Sequence, residues 1–438
     1  MKKSGFTLIE MMVAMVIGLT AITSVYSLGS AMSKQFYEEQ RLATAQGASR
    51  VAIMELRRDI SRAGLFGTPN GQLESTCDAS PPTLPKLVGG TAPLGAFQFY
   101  ADQDNSVVDP NSLNPGVHAD RLRVLTSLYL TDQLLVSSAS IAGDVIVLQS
   151  GNQAYRRTFA WGQTAGPFTS GSSPTYLEGD LDWDSSWSGE SASWKGIAQK
   201  GARAFQTGSM LHIETPEGRH FFRSVFDKTG NTENEIRITV TPSLPVGTAC
   251  LPGAAEGATV APLQWVEYAI VDPFDTNEVG SDFFDFDGMF YIDLSNTSDI
   301  ATQLRNADED TFRESPNRVL VRRVLDSVTG NVRPQTTQII AEFVTNFEVS
   351  FLIDTNSGTG LAPNLQATRD TNTINGSPQQ VRSVIIDLGI RNPLEDPNVE
   401  PNPDGGTRFN VSNAQTGAAR VRNLRIEVPV MNVARRNL

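Results

Sequence analysis

Lys2 and Lys3 precede an apolar stretch with no charged residue from Met11 to Ser33. At 1.5 Å rise per residue this run makes a helix of roughly 35 Å, enough to cross a hydrocarbon core about 30 Å thick. One carboxylate, Glu10, stands at its head. After Lys34 the pattern changes: Ala45, Ala48, Ala52, Leu56, Ile60 and Ala63 recur at spacings of three and four, one stripe of an amphipathic helix. Arg41, Arg50, Glu55, Arg57, Arg58 and Asp59 suit the solvated side. Gly64, Gly67, Pro69, Asn70 and Gly71 then supply stop signals. The pattern predicts one helix over about residues 6–63, apolar over 6–33 and amphipathic in the segment 34–64.

Beyond residue 65 short runs rich in Val, Ile, Thr and Phe alternate with Gly, Pro, Asn, Asp and Ser. The clearest are Arg121–Leu130, Asp144–Gln149, Met210–Glu214, His220–Phe226, Glu235–Val240, Gln264–Val271, Met289–Leu294, Arg318–Leu325, Gln338–Ile353, Val381–Ile390 and Leu424–Val430. These read as strands separated by loop signals. The expected fold class is α+β: a long N-terminal helix followed by a large β-rich globular domain over 65–438, sandwich-like and with insertions. A Trp-, Gly- and Ser-rich insertion is expected at about 151–235. No internal repeat of fixed period stands out.

Glu10 separates three readings of the N-terminus. A secretory signal has a basic start and an apolar core of about 7–15 residues, shorter than this run and without an acid at its head. A plain membrane anchor explains the length, and the lysines hold its N-terminus in the cytoplasm, but Glu10 is left without a reason. Cleavage after Gly5 explains all the features. The basic leader 1–5 leaves, Phe6 becomes the N-terminus, and the amine of another subunit becomes a cationic partner for Glu10. A carboxylate in lipid is tolerable with such a partner and costly without one.

Gly5-Phe6-Thr7-Leu8-Ile9-Glu10, after a short basic leader and before about twenty apolar residues, resembles the class III signal of type IV pilins and pseudopilins. The resemblance implies that prepilin peptidase cuts after Gly5, that Phe6 carries a methylated amine, and that Glu10 sets subunit registry. Arg57–Gly67, Asp120–Val124, Gly143–Ile146, Glu342–Val349 and the closing Arg425–Val433 strand resemble the PilW-type minor pilins. Membership there implies a minor pilin without catalytic activity, in few copies at the tip or in an initiating complex. Its implied partners are other minor and major pilins, prepilin peptidase, the inner membrane before assembly, and a large tip adhesin. The implied topology is a cytoplasmic N-terminus and a periplasmic domain that later reaches the cell surface. Alternatives are a type II secretion pseudopilus tip subunit, which shares the same N-terminal physics, and an adhesin or ligand-binding module displayed on the pilin helix.

The net charge of −13 argues against nucleic acid as a partner of the whole domain. Cys77 and Cys250 are the whole thiol inventory. In an oxidising compartment a disulfide between them is favoured over two free thiols, and the long loop would be worth at most roughly 5 kcal/mol. No nucleophile elbow, zinc-protease helix, phosphate loop or Cys-x-x-Cys occurs, and no cofactor is expected. His212 and Glu214 share one face of a strand, the spacing of a metal pair, against the plainer reading of partly exposed strand residues. Asp180, Asp182 and Asp184 open like a calcium loop, but Ser185 and Ser191 stand where glycine and glutamate are needed, so solvated acids are the default. Asp282, Asp285 and Asp287 form a second acidic group. Trp161, Trp183, Trp187 and Trp194 either fill a small core of the insertion, the favoured reading, or form a partner surface.

Overall fold

The computed structural model describes residues 8–74, 83–85, 91–102, 117–128, 132–149, 205–227, 236–251, 253, 255–271, 318–333, 336–356, 362–391, 408–409 and 418–430. Helix α1 (Leu8–Ser61) is followed by β1 (Thr83–Pro85), β2 (Thr91–Pro93), β3 (Phe97–Tyr100), β4 (Arg121–Thr126), β5 (Leu134–Ala139) and β6 (Val145–Leu148). Then come β7 (Met210–Glu214), β8 (His220–Asp227), β9 (Arg237–Thr241), β10 (Thr259–Val271), β11 (Val319–Leu325) and β12 (Gln338–Ala341). The last third holds β13 (Val344–Asp354), β14 (Leu365–Thr368), the short helix α2 (Thr371–Gly376), β15 (Val381–Arg391), β16 (Arg408–Phe409) and β17 (Ala419–Pro429).

An unbroken α1 of 54 residues is about 81 Å long. Its end is local chemistry: Gly64 takes φ +69 and donates its N–H to the Leu125 carbonyl at 2.9 Å, a conformation that favours glycine. The described part of the predicted stripe is the docked one, whereas the side chains of Ala45 and Ala48 lie outside the described residues. Ala52, Leu56, Ile60 and Ala63 are fully buried, together with Phe97, Phe99, Leu122, Val124, Phe347, Phe351, Val384 and Ile386. Asp59, expected on the solvated side, is also fully buried. It is paired, as described below, and that pairing is what permits a charge on the docked face.

Strands form a ten-stranded sheet, a five-stranded sheet in the order β14-β13-β15-β17-β16, and the β1-β2 hairpin, with every strand pairing antiparallel. Within the larger sheet the path β10-β5-β6-β9-β8-β7 returns to β10, so six strands close into a ring. The ring has its own core, with Leu134, Ile146, Phe205, Leu211, Phe221, Ile238 and Val260. It is not part of the sandwich-like expectation. Two of its staves, β7 and β8, come from 205–227, inside the stretch expected as an insertion.

Strand β10 joins the two cores. Thr259–Leu263 pairs with β7 in the ring, whereas Gln264–Val271 runs between β4 and β11 beside α1. The segment Gln338–Ile353, expected as one strand, is two. Phe343 at φ +55 breaks it and turns the chain from the larger sheet into the smaller. The two sheets are stitched where Asp120 donates its N–H to Phe347 O at 3.0 Å and accepts from Val349 N at 2.6 Å. The free edge of β3 is closed by Asn375 of α2, whose side chain accepts from Phe99 N at 2.7 Å and donates to Phe99 O at 2.9 Å.

Candidate functional site

Among the described residues, none in the apolar half of α1 is buried against the domain. Met11–Gly29 is 19 residues long with none of it buried, long and apolar enough to cross a membrane. Its few hydroxyls are satisfied within the helix: Thr20 donates to Ile17 O at 2.8 Å, Thr23 to Leu19 O at 2.8 Å and Ser24 to Thr20 O at 2.8 Å. A helix that satisfies these hydroxyls internally and exposes large apolar side chains from Leu8 to Leu28 is suited to lipid or to other helices. Glu10 falls in the first turn of α1.

The docked half carries the load from this helix into the domain. Asp59 accepts from Arg322 Nε at 2.7 Å, from the Tyr268 hydroxyl at 2.8 Å and from Arg58 Nε at 3.2 Å. Tyr268 and Arg322 are register partners on β10 and β11, so one strand pair presents both groups to the helix. Burial pushes the Tyr268 phenol well above its ordinary value, and the adjacent Asp59 carboxylate pushes it further. Burial alone would lower the Arg322 guanidinium, but Asp59 and Tyr268 outweigh it and hold it above its ordinary value. The helix is thus joined to the sheet by a charge-assisted contact centred on the fully buried Asp59.

One residue earlier on β10 the side chain points to the opposite face. There Glu267 sits between Arg123 of β4 at 2.6 Å and Arg323 of β11 at 2.7 Å, its partners in register on either side. Arg121 lies 3.9 Å away. Burial raises the Glu267 carboxyl, but Arg323, Arg123 and Arg121 together pull it down from 4.5 to about 2. Because the folded-state value is the lower one, the stabilisation is complete above about pH 4.5 and is lost as pH falls toward 2. Its size is on the order of 3 kcal/mol. Acid titration of the folded domain, followed by the fluorescence of the buried Trp265, is expected to show a loss of stability in that window, and Glu267→Gln should remove this component.

Two further polar clusters hold the fold. His212, expected as a partly exposed strand residue, is 1% exposed and His220 is 8% exposed, because the ring brings them together as neighbours on β7 and β8. The left-handed Phe66 (φ +57) aims its carbonyl at His212 Nδ1, 2.6 Å away. His212 Nε2 lies 2.9 Å from His220 Nδ1, and His220 Nε2 lies 3.3 Å from Glu74. This chain ties the ring to the segment that follows α1. It draws in His220 rather than Glu214, the partner that strand spacing suggests.

Asp102, His118 and Asp120 form the second cluster, with ligand atoms within 4.8 Å of one another. Arg369 already supplies a cation, reaching Asp120 at 2.9 Å and Asp102 at 3.4 Å. Burial raises the Asp120 carboxyl, against hydrogen bonds from Asp102 and Val349 and the charge of Arg369.

Gly5, Phe6, Cys77, Trp161, Trp183, Trp187 and Trp194 lie outside the described residues, as do Asp180, Asp182, Asp184, Asp282, Asp285 and Asp287. Cys250 is disulfide-bonded. Sequence reasoning missed Asp59, Tyr268, Arg322 and the Glu267 triad. The signal was a charge set within an apolar strand run, as in "LQWVEYAIV" and "VLVRRVL": such a charge must find a partner.

Residues 1–26 match the family model of the prokaryotic N-terminal methylation motif. Neither curated proteins nor solved structures gave a match to the chain. With the apolar helix, the motif supports a type IV pilin-like prepilin, anchored in a membrane and interacting in general with other pilins and with prepilin peptidase.

Proposed function

We propose that this protein is a minor pilin of a type IV pilus, PilW-like, without catalytic activity. It enters the filament in few copies, at the tip or in an initiating complex, and presents a partner such as a tip adhesin. The observation that carries the reading is the single helix, naked and apolar at one end and locked into a large domain at the other by Asp59 and Arg322. Val51 and Met54 also stay exposed on the docked half, 54% and 67%, leaving apolar surface for neighbouring helices. The six-stranded ring adds bulk that the helix-docking core does not need, and such bulk crowds a repeating shaft.

In this reading the leader 1–5 is removed after Gly5, and the Phe6 amine is methylated and pairs with Glu10 of a neighbour. The apolar segment waits in the inner membrane, with the domain in the periplasm. N-terminal mass spectrometry of the mature chain tests this, with Phe6 as the expected first residue. Retained Met1, or cleavage near Ala31, overturns it. Recovery of the protein with a secretion-system pseudopilus rather than with sheared pili would move it to the type II class.

Cys250 pairs with Cys77 in the same proposal, tying the stretch after α1 to the link between β9 and β10. Non-reducing peptide mapping of protein made in the periplasm is expected to recover a Cys77–Cys250 peptide. Both thiols recovered free would contradict the pairing.

A further inference from the structure

A cleft of about 440 Å³ opens beside the last turn of α1, lined by Arg58, Arg62, Leu128, Arg322, Thr336 and Gln338 among others. Three of these residues are arginines, in a chain whose net charge is −13. Arg58 is held by Glu55 at 2.5 Å and by Asp59, and Arg322 is held by Asp59. Arg62 has no ion-pair partner among the described residues. Three guanidiniums therefore face two carboxylates, leaving one positive charge uncompensated at the cleft. Arg322, with its side chain only 8% exposed, forms the inner wall. Leu128 and Val324 give that wall an apolar part.

We propose that this cleft receives a carboxylate-bearing segment of a neighbouring subunit. A planar guanidinium matches a carboxylate in a paired geometry, and a partly desolvated cleft strengthens the contact relative to open solvent. An anionic lipid headgroup is excluded by distance: Arg58 lies about 44 Å along the helix from the end of the apolar run at Gly29. The cleft adjoins the docked half of α1, where a staggered neighbour reaches in a bundle of such helices. The choice of occupant rests on the filament reading, whereas the chemistry of the cleft does not.

The test uses the full-length protein in detergent micelles, titrated with a fluorescent hexaglutamate peptide and compared with Arg62→Glu and Gln338→Glu. Saturable binding, weakened about tenfold or more by each variant and not displaced by inorganic phosphate at matched ionic strength, is the expected result. Gln338 is exposed, so its variant reports on the cleft even where Arg62→Glu disturbs folding. Absent binding, binding by both variants as tight as by the wild type, or displacement by phosphate as readily as by unlabelled hexaglutamate overturns the proposal. A photo-crosslinker at Gln338 in assembling cells then reports the occupant. An adduct to an acidic segment of another subunit supports it, and an adduct only within the same chain overturns that choice. Micelle binding needs no processing, so a mature N-terminus other than Phe6 would sink the filament reading while leaving the binding result intact.

Discussion

Glu10→Ala is expected to leave the protein in the membrane and to cut its recovery in sheared filaments by about tenfold or more. The apolar run that holds it in lipid begins after Glu10, so the substitution does not shorten the span. It removes only the carboxylate that the reading pairs with a neighbour's Phe6 amine. A carboxylate near lipid costs free energy unless it meets a cation, so the wild-type helix is driven toward positions where it does. The alanine variant has no such drive and no preferred axial stagger. Glu10→Asp, which keeps the charge on a shorter arm, is expected to recover part of the incorporation. Immunoblots of the membrane and sheared fractions, scaled to expression, measure both variants. Equal filament recovery for Glu10→Ala and wild type would remove Glu10 from assembly and take the registry mechanism with it.

The helix was legible because its two halves obey simple rules. An uncharged run of transmembrane length and a stripe at spacings of three and four leave little else to read. Asp59 is the instructive error. By pattern it belongs with Arg57 and Arg58 outside, but its burial depends on Tyr268 and Arg322, more than two hundred residues away. No local rule contains that information. Strand β7 was read to its last residue, whereas β10 was read from Gln264 although it starts at Thr259. Pro262 interrupts the strand pattern there, yet it still pairs opposite Leu211. The ring escaped the sequence for a related reason. Closure is a property of which edges meet, and β5 and β7 reach the same strand from positions about eighty residues apart. The motif Gly5–Glu10 was legible in sequence alone, whereas the charge contacts that lock the helix to its domain needed the register of β10 against β4 and β11.

That register makes the second large effect. Glu267→Ala is expected to destabilise the domain by about 3–5 kcal/mol, the range for removing one partner of a buried ion pair. The deletion leaves Arg123 and Arg323, each 4% exposed, on the two strands that flank β10, with like charges facing each other across the missing carboxylate. Both are buried in the folded domain, so water cannot take the place of the glutamate without rearrangement. If the triad acts through charge balance, removing all three charges should cost less than removing one. Glu267→Leu combined with Arg123→Met and Arg323→Met is therefore expected to recover most of the lost stability, since well-packed apolar replacements of buried ion pairs are often neutral. Urea unfolding of the full-length protein in detergent, read by Trp265 fluorescence, gives the comparison. The triple variant should also lose the acid sensitivity between pH 4.5 and 2 that Glu267 contributes. A triple variant less stable than Glu267→Ala would show that the arginines hold this sheet by contacts other than the glutamate, and the charge-balance account of β10 would fall.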